Sequence, residues 1–417
     1  MVKFHYVTLL WTILLTLLSS NFVNAQQAPQ SKSILITNAT ILDGVSEELS
    51  PGRALYIQNG KISSILNTNE DLPKADSVID AGNRYVLPGL IDAHTHISSL
   101  ASAERALLSG VTTLRTAGSD SYHDIAIHNL VRHGKLSGPE IVGAGIFVQP
   151  DLGEDLLADR RFAELPNSIT SEKALRRLVQ INVDRGARVI KTRATERAGS
   201  PDTDPRKQVY SRRQLEIIVD EASEHGIPVM AHSHGSEGSA AAVSAGVKSI
   251  EHGTYLNEET IREMKQRGTY LVPTYTTVVD LTEPGGDYDH PVTTIRGLHM
   301  LPRMEQMIKT AMKHNINIVA STDSGYDPES INRVAMEAAN FVALGMSPFD
   351  AIRSCTSLAA TLLEVSEHTG RVAEGYDADL IIVERNPLED IRSLQDAVVI
   401  LSNGTVVKNR LPFALDP

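Results

Sequence analysis

Two textures of apolar and polar positions divide this chain. Residues 33–42 and 53–66 alternate in strand fashion, with Asn59-Gly60 as a hairpin turn signal. Residues 378–383 and 397–407 repeat that texture near the other end, with Asn403-Gly404 as the matching turn. Two β-rich ends around a different middle predict one small sheet domain built from both termini. The middle alternates apolar runs with helical stretches. Strands are predicted at 86–97, 111–116, 140–144, 188–192, 227–232, 249–252, 270–274 and 316–322. Residues 211–225 are a clear helix. Ser211 can cap it, Leu215, Ile218, Val219 and Ala222 form its apolar stripe, and Gly226 stops it. Eight strands with intervening helices predict an α/β chain: a (β/α)8 TIM barrel with a small β-sandwich domain formed by both chain ends. The implied division is 33–85 and 366–413 for the small domain and 86–365 for the barrel. A doubly wound open sheet is the runner-up, and no Gly-rich phosphate turn follows the first strand to support it.

Residues 1–25 read differently. Lys3 is followed by an apolar core over 6–18, then Ser19, Ser20 and Val23-Asn24-Ala25 with small residues at −3 and −1. This is the pattern of a secretory signal peptide cleaved after Ala25, which places the protein in the periplasm or outside the cell. The core is short for a membrane span, so an uncleaved anchor is the weaker alternative. No cysteine lies near the cleavage site to carry a lipid. The mature chain is expected to begin at Gln26 and, because Trp11 is the only tryptophan, to fluoresce as a tyrosine-only protein. Mass spectrometry of the native protein checks this; intact chain in a membrane fraction would overturn it.

The formal charge is −12, or −13 once Lys3 is removed with the signal. An acidic chain without a basic run is a poor nucleic-acid binder. The expected partner is a small-molecule substrate, and a homo-oligomer stays open. Cys355 is the only cysteine, so no intrachain disulfide forms. Its helical, apolar surroundings mark it as a core residue rather than a nucleophile.

The chemistry is concentrated at predicted strand ends. Leu87-Pro88-Gly89-Leu90-Ile91-Asp92-Ala93-His94-Thr95-His96 is an apolar run ending in two histidines one residue apart. On a strand, alternate residues point the same way, so His94 and His96 can offer two imidazoles to one metal ion. Further strand ends carry Lys191, His232, His252 and Asp323. In a barrel those ends share one face, where catalytic groups collect. Each alone has an ordinary structural reading, as a core histidine, a solvated lysine or a helix cap. Their joint placement is what points to a site.

The stretches Pro88-Gly89-Leu90-Ile91-Asp92-Ala93-His94-Thr95-His96, Ile190-Lys191, Ala231-His232-Ser233-His234-Gly235, Glu251-His252-Gly253-Thr254, Ser321-Thr322-Asp323-Ser324-Gly325 and Gly375-Tyr376-Asp377-Ala378-Asp379-Leu380 resemble the amidohydrolase superfamily of metal-dependent hydrolases. The likeness is to its imidazolonepropionase-like and prolidase-like members. It implies two divalent metal ions, with zinc the expected metal. His94, His96 and Asp323 match ligands of the more buried ion, and His232 and His252 those of the second. Lys191 matches a bridging lysine carried as a carbamate, N6-carboxylysine. An ammonium has donors only and cannot bridge two cations, whereas a carbamate offers one anionic oxygen to each. The implied reaction is attack of a metal-bridging hydroxide on a carbonyl, with Asp323 as the catalytic acid–base.

The chain departs from its relatives at two loops. Thr116 stands where they often have an acidic residue, and 145–150 lacks a common histidine and glycine stretch. Candidate substrate contacts are Arg193, Arg197, His234 and Tyr255, with Arg193 as a carboxylate clamp. The expected function is an exported binuclear amidohydrolase that cleaves a C–N bond in a dipeptide or N-acyl amino acid. Alternatives are a cyclic amide, lactone or ester hydrolase, then a deaminase, then a non-catalytic scaffold.

Overall fold

The computed structural model describes residues 33–411, so the signal-peptide reading of 1–25 lies outside the described residues. Among the described residues no helix is long and apolar enough to cross a membrane. Both chain ends enter one hydrogen-bonded sheet. Its order is Thr405–Asn409, Val399–Ser402, Leu380–Val383, Tyr85–Pro88, Ile34–Ile41, Ser50–Gln58, Lys61–Asn67, with Ser77–Asp80 parallel to Ile34–Ile41. The two Asn-Gly turns fall where the pattern put them, with all four residues at positive φ. The sheet wraps its own core, which includes Ile36, Leu55, Ile57, Val86, Leu380 and Leu401.

The middle of the chain forms two parallel sheets. One orders Leu90–Thr95, Val111–Thr116, Glu140–Val142; the other orders Ile190–Arg193, Val229–Ser233, Ser249–His252, Tyr270–Val272. They meet at both margins. On one side the Val148 N–H donates to Lys191 O (2.9 Å) and Arg188 N–H to Gly143 O (2.8 Å). On the other, residues 317–324 run between the sheets. Leu271 N–H donates to Asn317 O (2.9 Å), Val319 N–H to Leu271 O (2.9 Å) and Asp323 N–H to His94 O (2.8 Å). This eighth segment therefore makes isolated bridges rather than the continuous strand expected over 316–322.

The predicted 86–97 strand is also corrected. It is two strands, Tyr85–Pro88 in the small sheet and Leu90–Thr95 in the first parallel sheet. The change of sheet occurs at Gly89, whose N–H donates to Asp379 O (2.7 Å). A Cβ there would sit 2.2 Å from Thr112 Oγ1, so only glycine permits the close approach. The small sheet thus reaches Pro88. The Arg212–Glu224 helix carries the predicted Ser211 cap, completed as a capping box by Gln214. Cys355 is fully buried, and burial pushes its thiol up to about 12.

Candidate metal centre

The parallel strands end around one cavity. Lys191, His94, His96, His232, His252 and Asp323 all line it. His94 Nε2 and His96 Nε2 lie 3.2 and 3.1 Å from Asp323 Oδ1, and Lys191 Nζ lies 3.4 Å from His94 Nε2. His252 Nε2 faces His232 Nδ1 at 2.9 Å. Two groups of three have ligand atoms within 4.8 Å of one another: His94, His252 and Asp323, and His232, His234 and His252. His252 belongs to both.

The tautomers follow from the outer ring nitrogens. His94 Nδ1 donates to Glu251 Oε2 (2.7 Å), His96 Nδ1 to Gly118 O (3.3 Å) and His232 Nε2 to Glu196 O (3.1 Å). Thr274 Oγ1 gives its proton to Pro273 O, so it accepts from His252 Nδ1 at 2.7 Å. A neutral imidazole has one N–H, so the inner nitrogens are bare lone pairs. His232 and His252 then face each other acceptor to acceptor, and His96 faces a carboxylate oxygen the same way. Burial keeps these rings neutral: it lowers His96 and drives His232 and His252 well below the ordinary value, with neighbouring rings adding to the effect on both. Converging lone pairs with no proton between them fit divalent cations, and the partners on the outer nitrogens fix each ring.

Backbone strain accompanies the cluster. His252, Asp323 and Thr274 sit at φ 73°, 53° and 50°. Such wells cost about 1–3 kcal/mol for a non-glycine residue and cluster at functional sites. Burial works against the Asp323 carboxylate, and only a proton or cation shared with His94 and His96 holds it well below the usual range. Burial draws the Lys191 amine down to about 7.

This arrangement identifies the chain's family. Residues 85–408 match the amidohydrolase family. The chain belongs to it. It is 27% identical to the ochratoxinase of Aspergillus niger over 413 residues, covering 88% of this chain and 84% of that one. A solved Xaa-Pro dipeptidase with methionine in its active site superposes with a TM-score of 0.81 at 25% identity, covering 90% of this chain and 99% of that one. A putative prolidase from Bifidobacterium longum gives 0.80 at 27%, covering 91% and 95%. The protein is a metal-dependent amidohydrolase that acts on C–N bonds, and its fold is the α/β fold of that family.

The amidohydrolase site also contains residues that the sequence reading passed over. Glu251 is wholly buried and accepts from His94, from Arg115 Nη2 (3.0 Å) and from Ser249 Oγ. Asp92 accepts from Thr322 Oγ1 (2.7 Å) and Tyr326 Oη (2.9 Å), tying the first strand to the eighth segment; burial raises it to about 6. Both lie inside the strand-end motifs, Glu251 beside His252 and Asp92 two residues before His94, and that adjacency was the available signal. Thr116 has a local role instead: it donates to Asp124 Oδ2 (2.6 Å), which also takes the Ala144 and Gly145 amides and shapes the loop that follows.

Of the substrate candidates, Arg193, Arg197 and His234 line the cavity. His234 Nδ1 is 2.9 Å from Thr254 Oγ1, and its ring stacks on His252 with centroids 4.6 Å apart, which places it among the potential ligands as well. Tyr255 does not line the cavity; its ring packs at 6.2 Å from His299. Phe147, from the divergent 145–150 loop, does line it. Its ring lies under Arg193 (5.2 Å) and Lys191 (5.5 Å) and stacks near His96. Burial and then the like charge of Arg197 pull the Arg193 guanidinium down to about 10.

Proposed function

We propose that this amidohydrolase is an exported, binuclear enzyme that cleaves the amide bond of a dipeptide or N-acyl amino acid. The observation that carries the reading is the set of imidazole lone pairs converging, with Asp323, around Lys191 at the base of the cavity. The same reading takes the seven parallel strands and the eighth segment as one closed (β/α)8 barrel beside a β-sandwich, supported by the bridges at both margins. His94, His96 and Asp323 would hold one ion and His232 and His252 the other. Lys191 would join them as a carbamate: its neutral amine adds to carbon dioxide and releases one proton.

When bound, two divalent ions, expected to be zinc, polarise the substrate carbonyl and acidify water at the site. The protein's own groups do the rest. Asp323 is the only carboxylate among the described residues lining the cavity, so it takes the proton of the attacking water and returns it to the leaving nitrogen. Arg193 presents a guanidinium to a carboxylate on the leaving side. The likeness to the Xaa-Pro dipeptidase supports a dipeptide amide, whose leaving amino acid carries such a group.

Purified protein is expected to contain close to two divalent ions per chain by elemental analysis. His232→Ala or His252→Ala should empty one position more than the other. One ion per chain, with activity unchanged by added metal, would overturn the binuclear reading. A panel of dipeptides and N-acetyl amino acids with zinc-loaded protein tests the substrate class, against cyclic amides, lactones and esters as the competing class.

A further inference from the structure

The substrate-facing wall of the cavity has a charge imbalance. Apart from the ligand cluster, its charged side chains are Arg193 and Arg197. Neither guanidinium has a hydrogen bond or ion pair among the described residues, and Arg193 Nε is buried with no partner. The carboxylate that chain adjacency offers them is spent elsewhere. Glu196 accepts from Lys207 Nζ at 2.6 Å and from the Asp204 amide at 2.9 Å. The arrangement is built rather than loose. The Phe147 ring sits beneath Arg193, and Arg296 pins the segment after Arg197 through Ser200 O (2.7 Å) and Thr203 O (2.6 Å).

A monoanionic leaving group satisfies one of these guanidiniums and leaves the other unpaired. From this imbalance we infer that the amino acid released by the enzyme carries two carboxylates, so that the substrate is an N-acyl or N-aminoacyl derivative of glutamate or aspartate. The inference rests on the amide-hydrolase reading above. Arg193 follows Lys191 by two residues and shares the Phe147 ring with it, so it takes the α-carboxylate, which is one carbon from the scissile nitrogen. Arg197 is exposed further along the same segment and takes the side-chain carboxylate. Bidentate guanidinium–carboxylate pairing discriminates a carboxylate from its amide isostere, which presents donors to the same fork.

The test compares Ala-Glu with Ala-Gln, and N-acetylglutamate with N-acetylglutamine, on the metal-loaded enzyme. The acid is expected to have a kcat/KM about tenfold or more above its amide, the scale of a charged hydrogen-bond pair. In Arg197→Gln the acid-to-amide ratio should fall towards one. Calorimetry supplies a readout independent of turnover: glutarate should bind more tightly than its monoamide, and Arg197→Gln should erase the difference. Turnover of neutral substrates with an acid-to-amide ratio near one would overturn this inference and leave the amide-hydrolase reading standing. Preferential glutarate binding without hydrolysis of any amide would overturn that reading and keep the dicarboxylate site.

Discussion

Lys191→Ala is expected to abolish hydrolysis and to leave empty one of the two metal positions proposed above. The side chain is fully buried among imidazoles and a carboxylate, with Nζ 3.4 Å from His94 Nε2. Two cations there would repel an ammonium, and a neutral amine has one lone pair to give. Only an anion with two oxygens joins both. Acetate or propionate added to Lys191→Ala should therefore restore part of the activity, read by turnover and by elemental analysis. Lys191→Arg should stay inactive although it keeps a cation, because guanidinium is a donor only. Full activity of Lys191→Arg with both metals bound would remove the bridge from the mechanism.

Glu251→Gln is expected to be nearly as damaging, for a different reason. Glu251 and Arg115 are both buried, and the carboxylate is the counter-ion of the guanidinium as well as the acceptor for His94. Removing one partner of a buried pair costs about 3–5 kcal/mol, because the other charge is left uncompensated. Gln keeps one acceptor oxygen for two donors, so His94 or Arg115 meets an N–H instead, and disturbing the partner that orients a proposed ligand histidine should lower metal affinity about 10- to 100-fold. The double change Glu251→Met with Arg115→Met separates the two effects: stability should recover while metal affinity stays low. Burial opposes ionisation of Glu251, yet Arg115 and His94 outweigh it and bring the carboxyl down to about 2. A depressed carboxyl stabilises the fold fully above its unfolded value near 4.5 and loses that contribution as pH falls through about 2. Acid unfolding of the metal-free protein, compared between wild type and Glu251→Gln, reads this term directly.

The cluster that gathers at the cavity was legible because metal chemistry needs particular side chains at particular strand ends. His94 and His96 share a face by simple alternation, and each of the others lies at or beside the end of a predicted strand. The small sheet was legible through its Asn-Gly turns, since φ > 0 at both positions selects those residues. The break at Gly89 was not, because apolar and buried positions run from Val86 to Ile91 without a change of texture; the chain changes sheets through pairing with Asp379 and Gly110, which no local pattern encodes. Ser77–Asp80 escaped notice at four residues with a single buried side chain. Glu251 reads as an ordinary acid beside a histidine until Arg115 arrives from another strand. Tyr255 was drawn to the site by its place three residues after His252, but a loop residue's direction depends on packing rather than on spacing.

Tyr85–Pro88 is bonded on one side to Ile34–Ile41 and on the other to Leu380–Val383. Its first neighbour leaves the ribosome before it and its second only near the end of synthesis. Throughout that interval a nascent chain holds one edge of this short strand open, and with it Val86 and Leu87, which the finished fold buries completely. An open edge is a template for pairing with another molecule. The C-terminal strands are therefore a clasp: a chain truncated before residue 380 keeps the sequence of every proposed metal ligand and still presents a sticky strand, so premature termination should yield aggregates rather than a smaller enzyme.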